Sequence, residues 1–177
     1  MKKITIIICL ILTFLFIYLL QVNFFTWFNL GSIKPNLFII FVLFIGLFSG
    51  KSLGTALGIT FGLILDFVAG KSIGIYATTL GMTGFLGGYL DMNFSKDSRM
   101  TFITMTALAT ILFEVVNLAL EFFIHSVQLD FLYFIRVLMV ESLFNCIITI
   151  IVYPIILKFG YKIEENFKEN KILTRYF

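Results

Sequence analysis

The sequence predicts an all-α integral membrane protein, and three observations support that prediction. Hydrophobic residues make up 60% of the 177 residues and charged residues only 13%. Soluble domains carry about 25% charged residues, and a small soluble domain has too large a surface for so few charges to cover it. The apolar runs are continuous rather than alternating, which favours helices over the strands of a membrane β-barrel.

The first two apolar runs differ in length. The first, 4–20, follows two lysines as a signal peptide does, but it exceeds the usual signal core and no small-residue cleavage site follows it. We therefore expect an uncleaved spanning helix. The second span, 36–50, follows Pro35, a residue suited to the first turn of a helix. Its apolar part is roughly 20 Å long, which is short for a ~30 Å hydrocarbon core. We expect it to borrow flanking residues or to be buried among neighbouring helices; a re-entrant segment, leaving five spans, is the alternative.

Four further runs complete the predicted bundle. The third span covers residues 52–69 and the fourth covers 73–90. The fifth, 101–124, and the sixth, 135–157, are long enough to cross the membrane with tilt. The expected architecture is therefore a bundle of six transmembrane helices.

The chain outside these spans is short. We expect one transmembrane domain, 1–159, followed by a short cytoplasmic tail, 160–177. Within the tail, Ile163 and Phe167 lie four residues apart among charged residues, which fits either a short amphipathic helix on the membrane surface or a solvated end.

The distribution of basic residues predicts the orientation. Six spans place both termini on one side of the membrane, and basic residues concentrate in the cytoplasmic segments of membrane proteins. With cytoplasmic termini, the outer segments hold only Lys34, Lys71 and Arg136. The inner segments hold Lys2, Lys3, Lys51, Lys96, Arg99, Lys158, Lys162, Lys168, Lys171 and Arg175. We therefore expect both termini in the cytoplasm.

Glycines recur at every fourth position along the third span. Small residues at this spacing let a second helix backbone approach closely. The candidate residues for helix packing or for a partner interface are Gly54, Gly58, Gly62, Asp66, Gly70 and Gly74. Tight packing within one subunit is the first interpretation, and a docking groove for another protein's helix is the second. Gly70 also begins a predicted tight outer turn between the third and fourth spans.

Acidic residues within the apolar runs form the second candidate site, because an ionised carboxylate is costly in lipid. Besides Asp66, the candidate intramembrane polar cluster comprises Glu114, Asn117, Glu121, Arg136, Glu141 and Asn145. Residues 114, 117 and 121 share one helix face, and Arg136 lies at a depth where it could pair with Glu121. Three interpretations compete: interhelical polar pairing, a groove that recognises a partner's helix, and an ion or proton pathway.

Catalytic and cofactor motifs are absent from the sequence. The only histidine, His125, lies at an outer boundary, and no Ser/His/Asp set, metal-binding pattern or phosphate-binding glycine loop occurs. The basic residues do not form the clustered stripe that nucleic acid binding requires. We expect no enzymatic activity, cofactor, metal, nucleic acid or small-molecule substrate.

The glycine-rich third span resembles a known family. The sequence Pro35-Asn36-Leu37 opens the second span. The third span and its turn end in the pattern G-L-x-x-D-x-x-x-G with a further glycine, formed here by Gly62, Leu63, Asp66, Gly70 and Gly74. Together with the length and span order of the whole chain, this pattern resembles the rod shape-determining protein MreD family. Asn36 stands where members often carry an acid after the proline.

The resemblance implies a non-enzymatic scaffold of the bacterial cell-elongation machinery, or elongasome, in the cytoplasmic membrane. Such a protein would maintain rod shape by helping to organise lateral-wall peptidoglycan synthesis. The implied partners are an MreC-like bitopic protein, an MreB-like filament, and the glycosyltransferase and transpeptidase of wall elongation.

The family is also similar in fold to the substrate-binding subunits of energy-coupling-factor vitamin transporters, which supply the alternative function. Those subunits dock through small residues, typically alanines, on their first helix, whereas residues 4–20 contain neither alanine nor glycine. They bind vitamins through polar groups in outer loops and helix ends, and the outer loops here are short and poor in such groups. An ion-coupled transporter would require paired halves with interrupted helices, and the sequence contains no internal repeat.

Overall fold

The computed structural model describes residues 3–25, 33–70, 72–94, 98–125 and 130–167, and within them nearly every residue is helical. The α-helices are α1 (Lys3–Leu19), α2 (Leu37–Ser49), α3 (Lys51–Ala69), α4 (Ile75–Asn93), α5 (Arg99–His125) and α6 (Phe131–Phe167). A short π-helical turn, Leu20–Phe24, extends α1. The prediction of an all-helical protein is confirmed, and the helix bounds lie close to the predicted spans except at the end of α6.

The helix α2 forms the centre of the bundle. All 13 of its residues are buried, and it contacts each of the other five helices. Its sequence is apolar on every side because every side meets protein, which is the pattern of a fully buried helix. At roughly 20 Å, α2 is too short to cross the hydrocarbon core alone, and its neighbours cover it instead.

The helices α3 and α4 make the most extensive pairing in the bundle. Gly50 alone separates α2 from α3, and its φ of 91° turns the chain sharply there. This conformation favours glycine, which has no Cβ to clash with the backbone. The helix α4 also packs on α2 and α5, so it lies inside the bundle along much of its length.

The helices α5 and α6 are the longest, with 27 and 37 residues, or roughly 40 and 55 Å. The ring of Tyr76, at the start of α4, stacks 6.3 Å from the ring of Phe113 on α5. From that level α5 continues for about 18 Å to His125. The end of α5 at His125 therefore extends past the start of α4.

The helix α6 continues through Pro154 to Phe167, beyond residue 157, where the sixth span is predicted to end. Gly160 and Ile163 are buried, and Gly160 lies directly against the ring of Phe48 at the end of α2. The first part of the predicted tail therefore packs on the bundle. The domain boundary at 159 stays a prediction, and residues 168–177 lie outside the described part of the chain.

The outer surface is apolar, as lipid contact requires. Large side chains such as Phe123 and Leu132 are 80% and 81% exposed. Four helical segments, 3–24, 51–69, 99–125 and 131–167, are long and apolar enough to cross a membrane. The helix α2 is shorter, and α4 is less apolar because glycine and threonine replace larger apolar residues. Since both pack mainly against other helices, neither needs a fully lipid-soluble surface.

Candidate functional site

The glycines of α3 face the backbones of α2 and α4. We call this contact the glycine seam, and it comprises Gly46, Gly54, Gly58, Gly62, Gly84, Gly87 and Gly88. A Cβ atom added at any of these residues would lie within 3 Å of backbone atoms of a facing segment. Only glycine therefore permits this close approach. The chain's own helices fill the seam completely, so the geometry supports packing within one subunit, while a partner contact at these glycines stays a prediction.

Gly70 and Gly74 lie in the turn between α3 and α4 rather than in the seam. Their φ angles are 62° and 110°, and no neighbouring atom lies within 4 Å of a Cβ added at either residue. Glycine is favoured here because other L-residues rarely adopt positive φ. Gly70 and Gly74 therefore permit the backbone conformation of the turn, whereas Gly54, Gly58 and Gly62 permit close packing of helices.

Asp66 caps the start of α4 from inside the bundle. Its Oδ2 accepts hydrogen bonds from the N–H groups of Gly74 at 2.8 Å and Ala77 at 3.1 Å, and its Oδ1 accepts one from Tyr76 at 2.9 Å. The N-cap residue of α4 is glycine and has no side chain to cap the helix, so α3 supplies the cap. Only 1% of Asp66 is exposed. The helix dipole and the three donors stabilise its carboxylate within the protein.

The start of α2 is capped by side chains from two other helical segments. Gln21 donates from Nε2 to the carbonyl of Pro35 at 2.6 Å and accepts at Oε1 from the N–H of Leu37 at 3.2 Å. From α6, the Asn145 Oδ1 accepts the N–H of Asn36 at 2.9 Å. Buried backbone groups require such partners, and these bonds allow α2 to begin inside the bundle.

Buried hydroxyl groups extend this network between α5 and α6. The Asn145 Nδ2 donates to the Thr110 hydroxyl at 3.0 Å. One helical turn towards Arg99, the hydroxyls of Thr106 and Thr149 lie 3.2 Å apart. Asn145, Thr106 and Thr110 are 0% exposed. These contacts hold the two long helices in a fixed register.

The side chains of Glu114 of α5 and Glu141 of α6 lie next to each other, and the side chain of Asn36 lies beside Glu141. Glu141 is 7% exposed, and its buried Oε1 has no hydrogen-bond partner among the described residues. The geometry favours interhelical polar pairing at this position.

The remaining residues of the predicted polar cluster lie farther along α5 and α6. Asn117 and Glu121 are half-buried, and Arg136 is exposed. The pairing of Glu121 with Arg136 that their similar depth suggested is not seen in the described ranges. The structure therefore brings together Glu114, Glu141 and Asn145 and leaves the other three at the margin.

Like Thr106, Thr110 and Thr149, Gln21 is a site residue that sequence reasoning missed. Its signal was a polar side chain at the end of an otherwise apolar run. Nothing local identified its partners, because Pro35 and Leu37 follow 14 and 16 residues later. The described polar groups mostly bond to the chain's own backbone or to each other, and no group of three metal-ligating side chains occurs among them. This arrangement fixes helices in place.

Comparisons with known proteins agree with the sequence pattern. A family model described as rod shape-determining protein MreD matches residues 1–163. The matched range includes the whole glycine seam and the whole polar cluster. No curated protein and no solved structure matches the chain.

Proposed function

Because the chain belongs to the MreD family of rod shape-determining membrane proteins, we propose that it is a non-enzymatic scaffold of the bacterial elongation machinery. In the cytoplasmic membrane it helps to organise lateral-wall peptidoglycan synthesis. Its partners are an MreC-like bitopic protein, an MreB-like filament, and the glycosyltransferase and transpeptidase of wall elongation. The family match over residues 1–163 is the main support for this function.

The interior of the bundle suits a scaffold. The glycine seam is closed by backbone contacts, and the caps on α2 and α4 use side chains from distant parts of the chain. A protein with its polar groups committed in this way holds a fixed shape. Such a shape is suited to positioning other proteins in the membrane.

Partner helices contact the lipid-facing surfaces in this proposal, because the glycine seam has no room for another helix. The helices α5 and α6 expose large apolar side chains, among them Val115, Met139 and Leu143. Transmembrane helices associate through close packing of such surfaces rather than through a hydrophobic driving force.

Six spans with both termini in the cytoplasm form the proposed topology. The helices α2 and α4 are the interior spans, and lipid contacts mainly the other four. Lys51, Arg99 and Lys158 mark the cytoplasmic ends of α3, α5 and the membrane part of α6. Counting at about 1.5 Å per residue places Asp66, Glu114 and Glu141 about 22–26 Å from these lysine and arginine positions. The acids would then lie in the outer half of the bilayer, where their partners within the protein replace water.

Photo-crosslinking in living cells tests the proposed partner surface. A photoreactive amino acid at Met139 or Leu143, both lipid-facing, is expected to give a crosslinked product with the MreC-like protein, detected by immunoblot. The same amino acid at Leu80, which is 0% exposed on α4, is the matched control and is expected to give none. Crosslinks from Leu80 alone, or equal yields from all three positions, would contradict this partner surface.

A further inference from the structure

A groove of about 640 Å³ opens on the lipid-facing side of α3 and α4. Ile59 of α3 lines one wall, Met82 and Phe85 of α4 line the other, and Leu112 of α5 contributes as well. Gly81 provides space between the walls, since a Cβ there would lie 2.7 Å from the Ile59 side chain. The lining is almost wholly apolar, and its exposed side chains leave it open to lipid.

One end of the groove carries a positive charge. A smaller recess of about 380 Å³ shares Ile59 and Phe85 with the groove and adds Lys51 and Ser52. The Lys51 ammonium lies 4.8 Å from the ring centre of Tyr89 and 5.6 Å from that of Phe85. Aromatic rings hold a cation in place without neutralising its charge. Among the described residues, neither lining contains an acidic side chain, so the described part of the site presents this charge to an anion.

The first turn of α3 adds to the positive potential at this end. The helix begins at Lys51, and its N-cap residue, Gly50, provides no side-chain hydrogen bond. The N-terminal end of a helix carries partial positive charge. Ser52 is exposed beside it and offers a hydroxyl donor. The apolar groove therefore ends beside the Lys51 ammonium group, the Ser52 hydroxyl group and the N-terminus of α3.

We propose that this groove binds an anionic phospholipid, with one acyl chain between α3 and α4 and the phosphate against Lys51 and Ser52. An amphiphile of this kind matches both halves of the site, since its chain is apolar and its phosphate is negative. Lysine and tyrosine at the end of a spanning helix lie at the depth of lipid headgroups. Lipid binding in this groove requires only that the protein is embedded in a membrane. It does not require the scaffold function, so either proposal can be wrong while the other is right.

Native mass spectrometry of the full-length protein tests the headgroup contact. The protein is titrated with phosphatidylglycerol or phosphatidylcholine of identical acyl chains. We expect phosphatidylglycerol to be retained preferentially, and Lys51→Gln to lower its retention about fivefold, which corresponds to roughly 1 kcal/mol per basic residue near an anionic surface. Lys162→Gln is the matched control, because Lys162 also lies over a ring, 6.0 Å from the centre of Phe159. Equal retention of both lipids, or equal losses in both variants, would overturn the proposal.

Photolabelling of the unmodified protein tests the acyl-chain contact independently. Phosphatidylglycerol with a diazirine at mid-chain is added to the protein in nanodiscs, and labelled peptides are mapped after illumination. We expect labelling to be concentrated at Ile59, Met82 and Phe85. Labelling spread evenly over other exposed apolar residues, such as Ile8 of α1 and Leu143 of α6, would contradict occupancy of the groove.

Discussion

Asp66 and Gln21 both satisfy backbone groups that are distant in the sequence. Asp66 binds three N–H groups at the start of α4, and Gln21 binds a carbonyl and an N–H group at the start of α2. The core of a bilayer contains no water that could form a hydrogen bond with an unpaired backbone group. These two residues therefore allow helices to start inside the protein, and each is expected to affect stability more than an exposed cap does.

Replacing Asp66 tests the importance of the buried cap. Asp66→Ala leaves one buried and two partly buried N–H donors unpaired and is expected to lower the free energy of unfolding by about 3 kcal/mol. Asp66→Asn is expected to be intermediate, because its amide oxygen still accepts hydrogen bonds while its NH₂ group does not. The measurement is detergent-micelle unfolding followed by circular dichroism.

Asp130 provides the control for this experiment. It accepts the N–H of Tyr133 at 3.1 Å at the exposed start of α6. Asp130→Ala should therefore cost only about 1 kcal/mol, as for a typical N-cap. Equal losses in Asp66→Ala and Asp130→Ala would show that burial of the Asp66 cap has no special role.

Glu141 tests whether the polar cluster depends on charge or on hydrogen bonding. Glu141→Gln keeps the size of the side chain and its capacity for hydrogen bonding beside Glu114 and Asn36, so the free energy of unfolding should change by less than about 1 kcal/mol. Glu141→Ala leaves a cavity and unpaired polar groups and should lower it by about 2 kcal/mol or more. The exposed Glu165→Gln is a control with no expected effect. A loss in Glu141→Gln as large as that in Glu141→Ala would indicate that the ionised carboxylate is required.

At the level of the helices, the close packing of α3 on α4 depends on glycines, which have no side chain to hold the two backbones apart. Gly58 faces backbone atoms of Leu80 and Gly81. These atoms cannot move unless α4 moves as well. The atoms facing Gly81 belong to the side chain of Ile59, with Cγ1 the nearest, and a side chain can shift without moving a helix. Gly58 and Gly81 therefore differ in the substitutions they tolerate, and only the structure distinguishes them.

A series of glycine-to-alanine variants tests this difference. Gly58→Ala should lower the free energy of unfolding by about 2 kcal/mol, because the two helices must separate. Gly70→Ala has free space around its Cβ and should cost about 1 kcal/mol from positive φ alone. Gly81→Ala should cost less than about 1 kcal/mol, because Ile59 can shift. Unfolding in micelles should give that order, and Gly81→Ala being the most damaging would contradict the packing of the seam.

The ends of the elements show where sequence reasoning reached its limit. Long apolar runs identified the helices well, because a membrane restricts spanning structure to few forms. The helix α6 continues past Lys158 and Lys162, so basic residues that predict the end of a membrane span do not predict the end of its helix. Gly54, Gly58 and Gly62 of the glycine repeat lie in the seam, but the capping partners of Asp66 depend on how α3 and α4 pack together, which no local sequence pattern predicts.

At the scale of the whole molecule, composition predicted the membrane environment and the family pattern predicted the shape-determining function. The arrangement around α2 was only partly predictable. The apolar sequence of α2 indicated burial, but only the tertiary structure shows that α1, α3, α4, α5 and α6 all surround it. A helix enclosed in this way makes the bundle a single body, and any partner must contact its outside.

Cell width after depletion tests the shape-determining function, with depletion in the native rod-shaped host and complementation from an inducible copy. We expect depleted cells to become wide or round, and the wild-type chain to restore rods. Gly58→Leu should fail to do so, because the leucine side chain would separate α3 from α4. Depleted cells that remain rods of normal width, with a growth defect corrected by an added vitamin, would contradict the shape-determining function and support the transporter alternative.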